Sequence, residues 1–225
     1  MRAIILAAGK GERMRPLTLV KPKPLLEVCG KSLIEHHIEN LKHAGITDIV
    51  INISWLAQQI MQKLGSGENY GVKIRYSYEG EEPLETGGGI LKALPLLNEE
   101  PFLVVNGDIK TDFPFEKLLN KDLNSLAHLI LVNNPPHNSS GDFSINDDES
   151  LNHISASSNK YTYSGIGIYT PELLKNLQAG TFSITPILKQ KMQNSEVTGE
   201  LYEGQWDDIG KIERLLEINS KCKKN

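Results

Sequence analysis

The sequence predicts an α/β chain, Rossmann-like in its three α/β/α layers, with a mostly parallel central sheet and a small β-rich insertion. Three observations predict it. Short apolar runs alternate with amphipathic helical runs through the first half of the chain, the pattern of parallel strands joined by crossover helices. The first apolar run breaks directly into glycines and cations, as a strand does where it meets an anion. At 225 residues, 39% hydrophobic and 23% charged, the chain has the size and composition of one such domain, taken here as residues 1–225.

The elements follow in order. Ile4 to Leu6 reads as a buried strand that ends in Ala7-Ala8-Gly9-Lys10-Gly11. Ser32 caps a helix running to Ala44, with Leu33, Ile34, His37, Ile38 and Leu41 on one face, and Gly45 stops it. Asp48 to Ile53 is a strand, Ala57 to Leu64 a helix and Val72 to Tyr76 a strand. Gly87 to Gly89 open a helix that reaches Leu97, and Phe102 to Asn106 is a buried strand. After Leu129 to Val132 the pattern changes: Asn133 to Asn152 is rich in Asn, Pro, Ser, Gly and Asp, the mark of turns and short hairpins. Residues 133–163 read as an insertion, expected over the substrate end of the sheet because ligands of open α/β sheets lie beyond the carboxyl ends of the strands. Tyr161 to Tyr169 is a further strand, residues 171–177 and 184–193 read as helical, and Ile209 to Ser220 is a final amphipathic helix.

Composition excludes several function classes. A formal net charge of −4 lacks the basic field of a general nucleic-acid binder. No apolar run approaches bilayer length and the first residues do not form a secretory signal, so the chain is expected in the cytoplasm, away from membranes. Cys29 and Cys222 form no framework and are expected as reduced thiols. The six histidines show no zinc-binding spacing, and His37 is expected as a satisfied core residue. No G-x-S-x-G marks a serine nucleophile, and nothing in the sequence calls for an obligate protein partner.

The N-terminal loop must be told apart from two commoner phosphate motifs. A dinucleotide fingerprint would need a third glycine where Met14 stands. The P-loop suggested by Gly30-Lys31-Ser32 lacks its earlier glycine, since Leu25 occupies that place, so these residues read as a turn before a capped helix. What remains is a glycine-rich loop carrying Arg13 and Arg15, followed by Lys21-Pro22-Lys23-Pro24: a grip for a triphosphate.

That signature, L-A-A-G-x-G-x-R-M-x-P-L-T followed by K-P-K-P-L, resembles the sugar-1-phosphate nucleotidylyltransferases. The likeness continues through Glu85-Thr86-Gly87-Gly88-Gly89-Ile90, Asn106-Gly107-Asp108 and Trp206-Asp207-Asp208-Ile209-Gly210, nearly the whole chain. It implies the nucleotide-diphospho-sugar transferase fold, a Mg²⁺ cofactor, and UTP with a sugar 1-phosphate as substrates. Leu6 to Thr18, Pro83 to Leu97 and Gly141-Asp142-Phe143 point among the sugars to N-acetylmuramic acid 1-phosphate, in cell-wall recycling. Guanylyl transfer to mannose or heptose phosphates, thymidylyl or uridylyl transfer to glucose 1-phosphate, and a non-catalytic nucleotide-sugar sensor remain alternatives.

The resemblance also implies the site. Leu6, Ala7, Ala8, Gly9, Gly11 and Glu12 would line the nucleotide with Arg13 on the leaving pyrophosphate, while Lys23 serves the α-phosphate. Glu85, Thr86 and Gly87 would present main-chain groups to the base. Asp108, ending a strand after a glycine, and Asp208, before the last helix, would hold the metal, with Asp207 as the competing neighbour. Asn106, Gly107, Gly141, Ser164, Gly165 and Asp208 would face the sugar phosphate. Lys211 departs from the family, where Thr usually follows the glycine.

Overall fold

A computed structural model describes residues 1–98, 100–121, 123–154 and 159–222. In chain order the elements are β1 (Arg2–Leu6), α1 (Leu17–Val20), the hairpin β2 (Glu27–Val28) and β3 (Lys31–Ser32), α2 (Leu33–His43), β4 (Asp48–Ile53), α3 (Ala57–Leu64), β5 (Lys73–Tyr78) and α4 (Glu85–Leu97). Then come β6 (Phe102–Asn106), β7 (Ile109–Thr111), α5 (Glu116–Leu119), β8 (Ala127–Val132), β9 (Ser144–Ile145), β10 (Leu151–Asn152), β11 (Thr162–Tyr169), α6 (Thr185–Met192), β12 (Val197–Tyr202), β13 (Trp206–Asp208) and α7 (Ile212–Cys222).

Seven strands form the central sheet in the order β12-β8-β11-β6-β1-β4-β5. All pairings are parallel except the two made by β11, so β11 alone runs against the rest. Strand alternation then makes three layers. Ala3, Ile5, Ile49, Ile51, Leu103 and Val105 point to the face covered by α2, α3 and α5, whose Ile34, Ile38, Leu41, Ile60, Leu64 and Leu118 complete one core. Their neighbours Ile4, Val50, Phe102 and Val104 point to the opposite face, where α4 and α6 contribute Ile90, Ala93, Leu97, Leu188 and Met192.

The chain moves from β1 to β4 and β5 on one side, then returns to place β6 on β1's other side. The β1/β6 boundary is therefore the switch point, and a crevice opens beyond the carboxyl ends of those strands. A third apolar cluster, with Met14, Leu26, Val28, Ile209, Leu215 and Ile218, fastens α7 to the β2–β3 hairpin below the N-terminal loop. No helix among the described residues is long and apolar enough to cross a membrane.

Three expectations are corrected. Residues 171–177 form only a 3₁₀ turn over Pro171–Leu174, because Pro171 starts it and Asn176, at φ 69°, leaves the helical region. Gly87 to Gly89 lie inside α4 rather than in a loop before it. Cys29 and Cys222 are joined in a disulfide: they are far apart in sequence, but the hairpin turn and the end of α7 bring their Cα atoms to 5.5 Å. His37 is buried on the apolar face of α2 as expected, yet neither ring nitrogen makes a well-formed hydrogen bond beyond a polar approach to the Ile109 backbone. Burial lowers its pKa to about 4, so it stays neutral. In the insertion, β9 and β10 form a two-stranded ladder, and part of the segment, 155–158, lies outside the described residues.

Candidate functional site

The cleft at the switch point, about 410 Å³, is built from the carboxyl ends of four adjacent parallel strands. Leu6 ends β1 and Asn106 ends β6, Asn52 lies near the end of β4, and Glu79 directly follows β5. The N-terminal loop covers it on one side, bringing Ala7, Ala8, Gly9, Gly11, Glu12 and Arg13 to the lining. Glu85 and Thr86, from the start of α4, stand across from that loop.

The loop's shape follows from Gly11. Its φ of +62° suits glycine, and a Cβ there would lie 2.9 Å from Thr18 Cγ2 and 3.3 Å from Lys23 Cβ. The Thr18 hydroxyl donates to the Gly11 carbonyl at 2.8 Å, which ties α1 to the loop. Lys23, buried at 8% exposure between Pro22 and Pro24, extends its ammonium to Asp108 Oδ2 at 2.7 Å. Arg15 pairs instead with Glu12, and Lys21 with Glu27, both at the surface and outside the lining. Two of the N-terminal cations, Arg13 and Lys23, therefore face the cleft.

Gly107 makes a close approach possible. Its N–H donates to the Leu6 carbonyl at 2.9 Å, and a Cβ would meet that oxygen at 2.5 Å. The turn delivers Asp108 to the cleft, and β7, which follows, pairs with β13 so that Asp208 stands opposite Ile109. The Ile209 N–H also donates to the Asp108 carbonyl at 2.9 Å. Residues a hundred apart in sequence are thus brought to adjoining strands at one edge of the cleft.

Asp208 Oδ2 accepts from Arg214 at 2.9 Å and lies 3.1 Å from His137 Nε2. Its Oδ1 is buried without a partner and lies 2.9 Å from where a Gly210 Cβ would be, a point that Arg13 approaches to 3.4 Å. Strand alternation turns the neighbouring Asp207 to the other face of β13. A buried, unpartnered carboxylate oxygen, on a strand bonded to the Asp108 backbone, suits a hard divalent cation, which takes one or two carboxylates and fills its shell with phosphate and water. Among the described residues no group of three or more His, Cys, Asp or Glu forms a closed metal cage.

Other expected positions take different places. Gly87 and Gly88 donate both N–H groups to the Phe182 carbonyl, at 2.9 and 3.1 Å, and a Cβ on Gly87 would strike the Phe182 ring. The Ser164 hydroxyl donates to the Ile130 carbonyl at 2.7 Å, within the β11 bulge. Gly165, at φ +82°, leaves room for the Asn106 side chain, which would meet its Cβ at 2.6 Å. Gly141 packs beneath the Lys160 backbone in the insertion. Gly87, Gly141, Ser164, Gly165 and Asp208 lie outside the cleft lining, whereas Asn106 and Gly107 are within it.

Four polar residues at the site carry no motif. Asn52 and Glu79 line the cleft floor, and His137 and Arg214 hold Asp208. Asn52 had one signal, a polar side chain inside the apolar run Asp48 to Ile53. For Glu79 the signal was its place just past a strand's carboxyl end.

A sheet of this order, with a glycine-rich cationic loop at its switch point and two acidic residues joined at the rim, defines a class of nucleotide-handling transferases. Residues 2–225 match the nucleotidyl transferase family, and the chain belongs to that family. It is 50% identical, over 98% of its length and 97% of the relative's, to the N-acetylmuramate alpha-1-phosphate uridylyltransferase of Neisseria meningitidis serogroup B. It is 32% identical to the mannose-1-phosphate guanylyltransferase catalytic subunit beta of Danio rerio, covering 96% of this chain and 63% of that protein. In fold it resembles a Bacillus anthracis protein to which glucose-1-phosphate thymidylyl transfer is ascribed, with a TM-score of 0.87, 23% identity, and coverage of 100% of this chain and 96% of that one. HddC of Yersinia pseudotuberculosis, solved with GMP-PN, aligns at a TM-score of 0.80 and 23% identity over 98% of each chain.

Proposed function

We propose that this chain, working as a single nucleotidyltransferase domain, transfers a uridylyl group from UTP to N-acetylmuramic acid 1-phosphate, forming UDP-N-acetylmuramic acid and pyrophosphate. The observation that supports the reaction type is the convergence of Arg13, Lys23 and Asp108 on the cleft, with Asp208 tied to Asp108 through strand pairing just outside the lining. The choice of base and sugar rests on the 50% identity to the Neisseria enzyme.

In this reading the phosphate oxygen of the sugar attacks the α-phosphorus in line, a new P–O bond forms, and the bond to the β-phosphate oxygen breaks. The protein must align two anions and offset their charge, and no covalent enzyme intermediate is required. Backbone groups of Gly9 and Gly11 lie against the triphosphate, and Arg13 takes the departing pyrophosphate. Lys23, held beside Asp108, presents its charge to the α-phosphate where negative charge gathers. Asp108 and Asp208 hold Mg²⁺, which supplies charge neutralisation and orientation of the phosphates when bound. Glu85 and Thr86 face the uracil, and Asn106 and Gly107 the ribose or sugar. Gly141 of the insertion, with Ser164 and Gly165 of β11, shapes the sugar side through the backbone.

The substrates are phosphorylated intracellular metabolites, so the reaction belongs in the cytoplasm, in the recycling of cell-wall sugars. The test is pyrophosphate release over a grid of four nucleoside triphosphates against muramic, glucosamine, glucose, mannose and heptose 1-phosphates. The proposal expects the UTP and N-acetylmuramic acid 1-phosphate pair to exceed every other by about tenfold or more in kcat/KM. A maximum at GTP with mannose 1-phosphate would replace it.

A further inference from the structure

Beneath the cleft floor runs a chain of three short hydrogen bonds that no motif predicts. The Ala7 N–H donates to Asn52 Oδ1 at 2.7 Å, Asn52 Nδ2 donates to Glu79 Oε1 at 2.6 Å, and the Leu84 N–H donates to Glu79 Oε2 at 2.7 Å. Both side chains are buried, at 2% and 6% exposure. Ala7 belongs to the N-terminal loop and Leu84 is the residue from which α4 starts, so the chain ties one wall of the cleft to the other. Leu84 offers α4 no side-chain cap, and the Glu79 carboxylate takes its N–H instead. Gly89 is fitted to the same feature: a Cβ there would lie 2.3 Å from Glu79 Oε1 and 2.7 Å from Asn52 Nδ2.

Among the described residues the other polar tie between the same walls is a rim ion pair, Lys10 with Glu82 at 2.5 Å, whose carboxylate is 79% exposed. Such a pair is screened by solvent and holds little. A buried bond left half-made is costly, because the abandoned group keeps its desolvation penalty.

We propose that Asn52 and Glu79 are positioning residues that set nucleotide affinity by fixing the N-terminal loop against the start of α4. The inference rests on the nucleotide reading of the cleft and adds two residues that the reaction itself does not use. Neither touches a reacting atom; both act through Ala7 and Leu84. Desolvation raises the Glu79 pKa, opposed in part by the Leu84 and Asn52 bonds and the nearby Lys92.

The direction of each bond makes a swap test available. Glu79→Gln leaves one oxygen for two donors, so its amide faces the Asn52 amide and the middle link is lost. Asn52→Asp sets two carboxylates face to face. The double variant restores all three bonds, with the new carboxylate at position 52 accepting from Ala7 and from the new amide at position 79, whose oxygen accepts from Leu84.

Calorimetry with UTP and Mg²⁺ should show each single variant weakened about tenfold and the double variant within about threefold of wild type. In turnover, KM for UTP should rise more than kcat falls. Folded single variants that bind as wild type does, or a double variant weaker than either single, would overturn the proposal. Should a single variant not fold, the double variant carries the test, since its bonding is complete and it must fold and bind. Wild-type binding of UTP without turnover of any sugar 1-phosphate would count against the proposed reaction and leave the relay standing. If wild type prefers another nucleoside triphosphate, the proposed base choice fails and the same cycle is read with that nucleotide.

Discussion

Lys23 has little of the freedom a lysine usually keeps. Prolines on both sides, burial to 8% exposure and a 2.7 Å contact with Asp108 mount its charge at a fixed point. A charge held in place stabilises best what develops at that place, so Lys23→Ala should lower kcat by about 10²–10³ while KM for UTP changes less than about threefold. Steady-state kinetics checks this, and a change confined to KM contradicts it. At this scale the sequence was readable where residue types cluster: glycines beside arginine, a lysine between prolines, an aspartate after Asn-Gly. It was unreadable where a polar residue works alone. Asn52 looks like an interruption of a strand, and Arg214 like one cation on a solvated helix. Their partners, Glu79 and Asp208, are assigned by the fold.

Helix α2 shows how one element fixes its own start. The Ser32 N–H donates to Glu35 Oε2 at 3.0 Å and its hydroxyl to the same oxygen at 2.5 Å, while Lys63 and Tyr70 reach Oε1 at 3.1 and 2.9 Å. Burial opposes ionisation of Glu35, but these bonds outweigh it and hold its pKa at about 2, below its ordinary 4.5. A depressed carboxylate contributes stability that is complete above its unfolded value and is lost as pH falls toward its folded one. Glu35→Gln should therefore cost about 1 kcal/mol near neutrality. Thermal melts would show this as about 2–4 °C. The gap to wild type should shrink as pH drops below about 4.5, and a gap constant from pH 7 to pH 3 would contradict the account.

Elements were legible in the sequence where apolar period and caps agree, as in α2, β4, α3 and β6. They were less so where glycines admit two readings: Gly87 to Gly89 looked like a loop before a helix, and lie in the helix's first turns, Gly87 and Gly88 against residues 180–182 and Gly89 against Glu79 and Asn52. The need for glycine at 87 and 88 comes from the segment at 180–182, nearly a hundred residues on, which no local pattern announces.

The whole molecule is closed by α7, which returns the chain's end to its N-terminal loop. Met14, Leu26 and Val28 meet Ile209, Leu215 and Ile218, and the Cys29–Cys222 disulfide lies at the margin of that cluster. Because apolar burial also holds α7, reduction should leave turnover within about twofold of the oxidised protein. Tying residues 193 apart restrains the unfolded chain, so reduction should still lower Tm, by a stability loss of up to about 5 kcal/mol in the chain-entropy view. Thiol titration with thermal melts tests this, and an unchanged Tm on full reduction contradicts it. The three layers and the mostly parallel sheet were legible from alternating strands and helices, whereas the strand order was not. The disulfide was not, since separation along a chain says nothing about distance across a fold.

The central claim is that Asp108 and Asp208, distant in sequence, serve one metal-bound nucleotide at the cleft rim. It is tested most directly by titrating Mn²⁺ against the protein with UTP, following free metal by electron paramagnetic resonance. Asp108→Ala and Asp208→Ala should each weaken the ternary binding by about tenfold or more, while Asp207→Asn stays within about twofold of wild type. Full-strength binding in either folded alanine variant, or a larger loss from Asp207→Asn than from Asp208→Ala, would contradict the account.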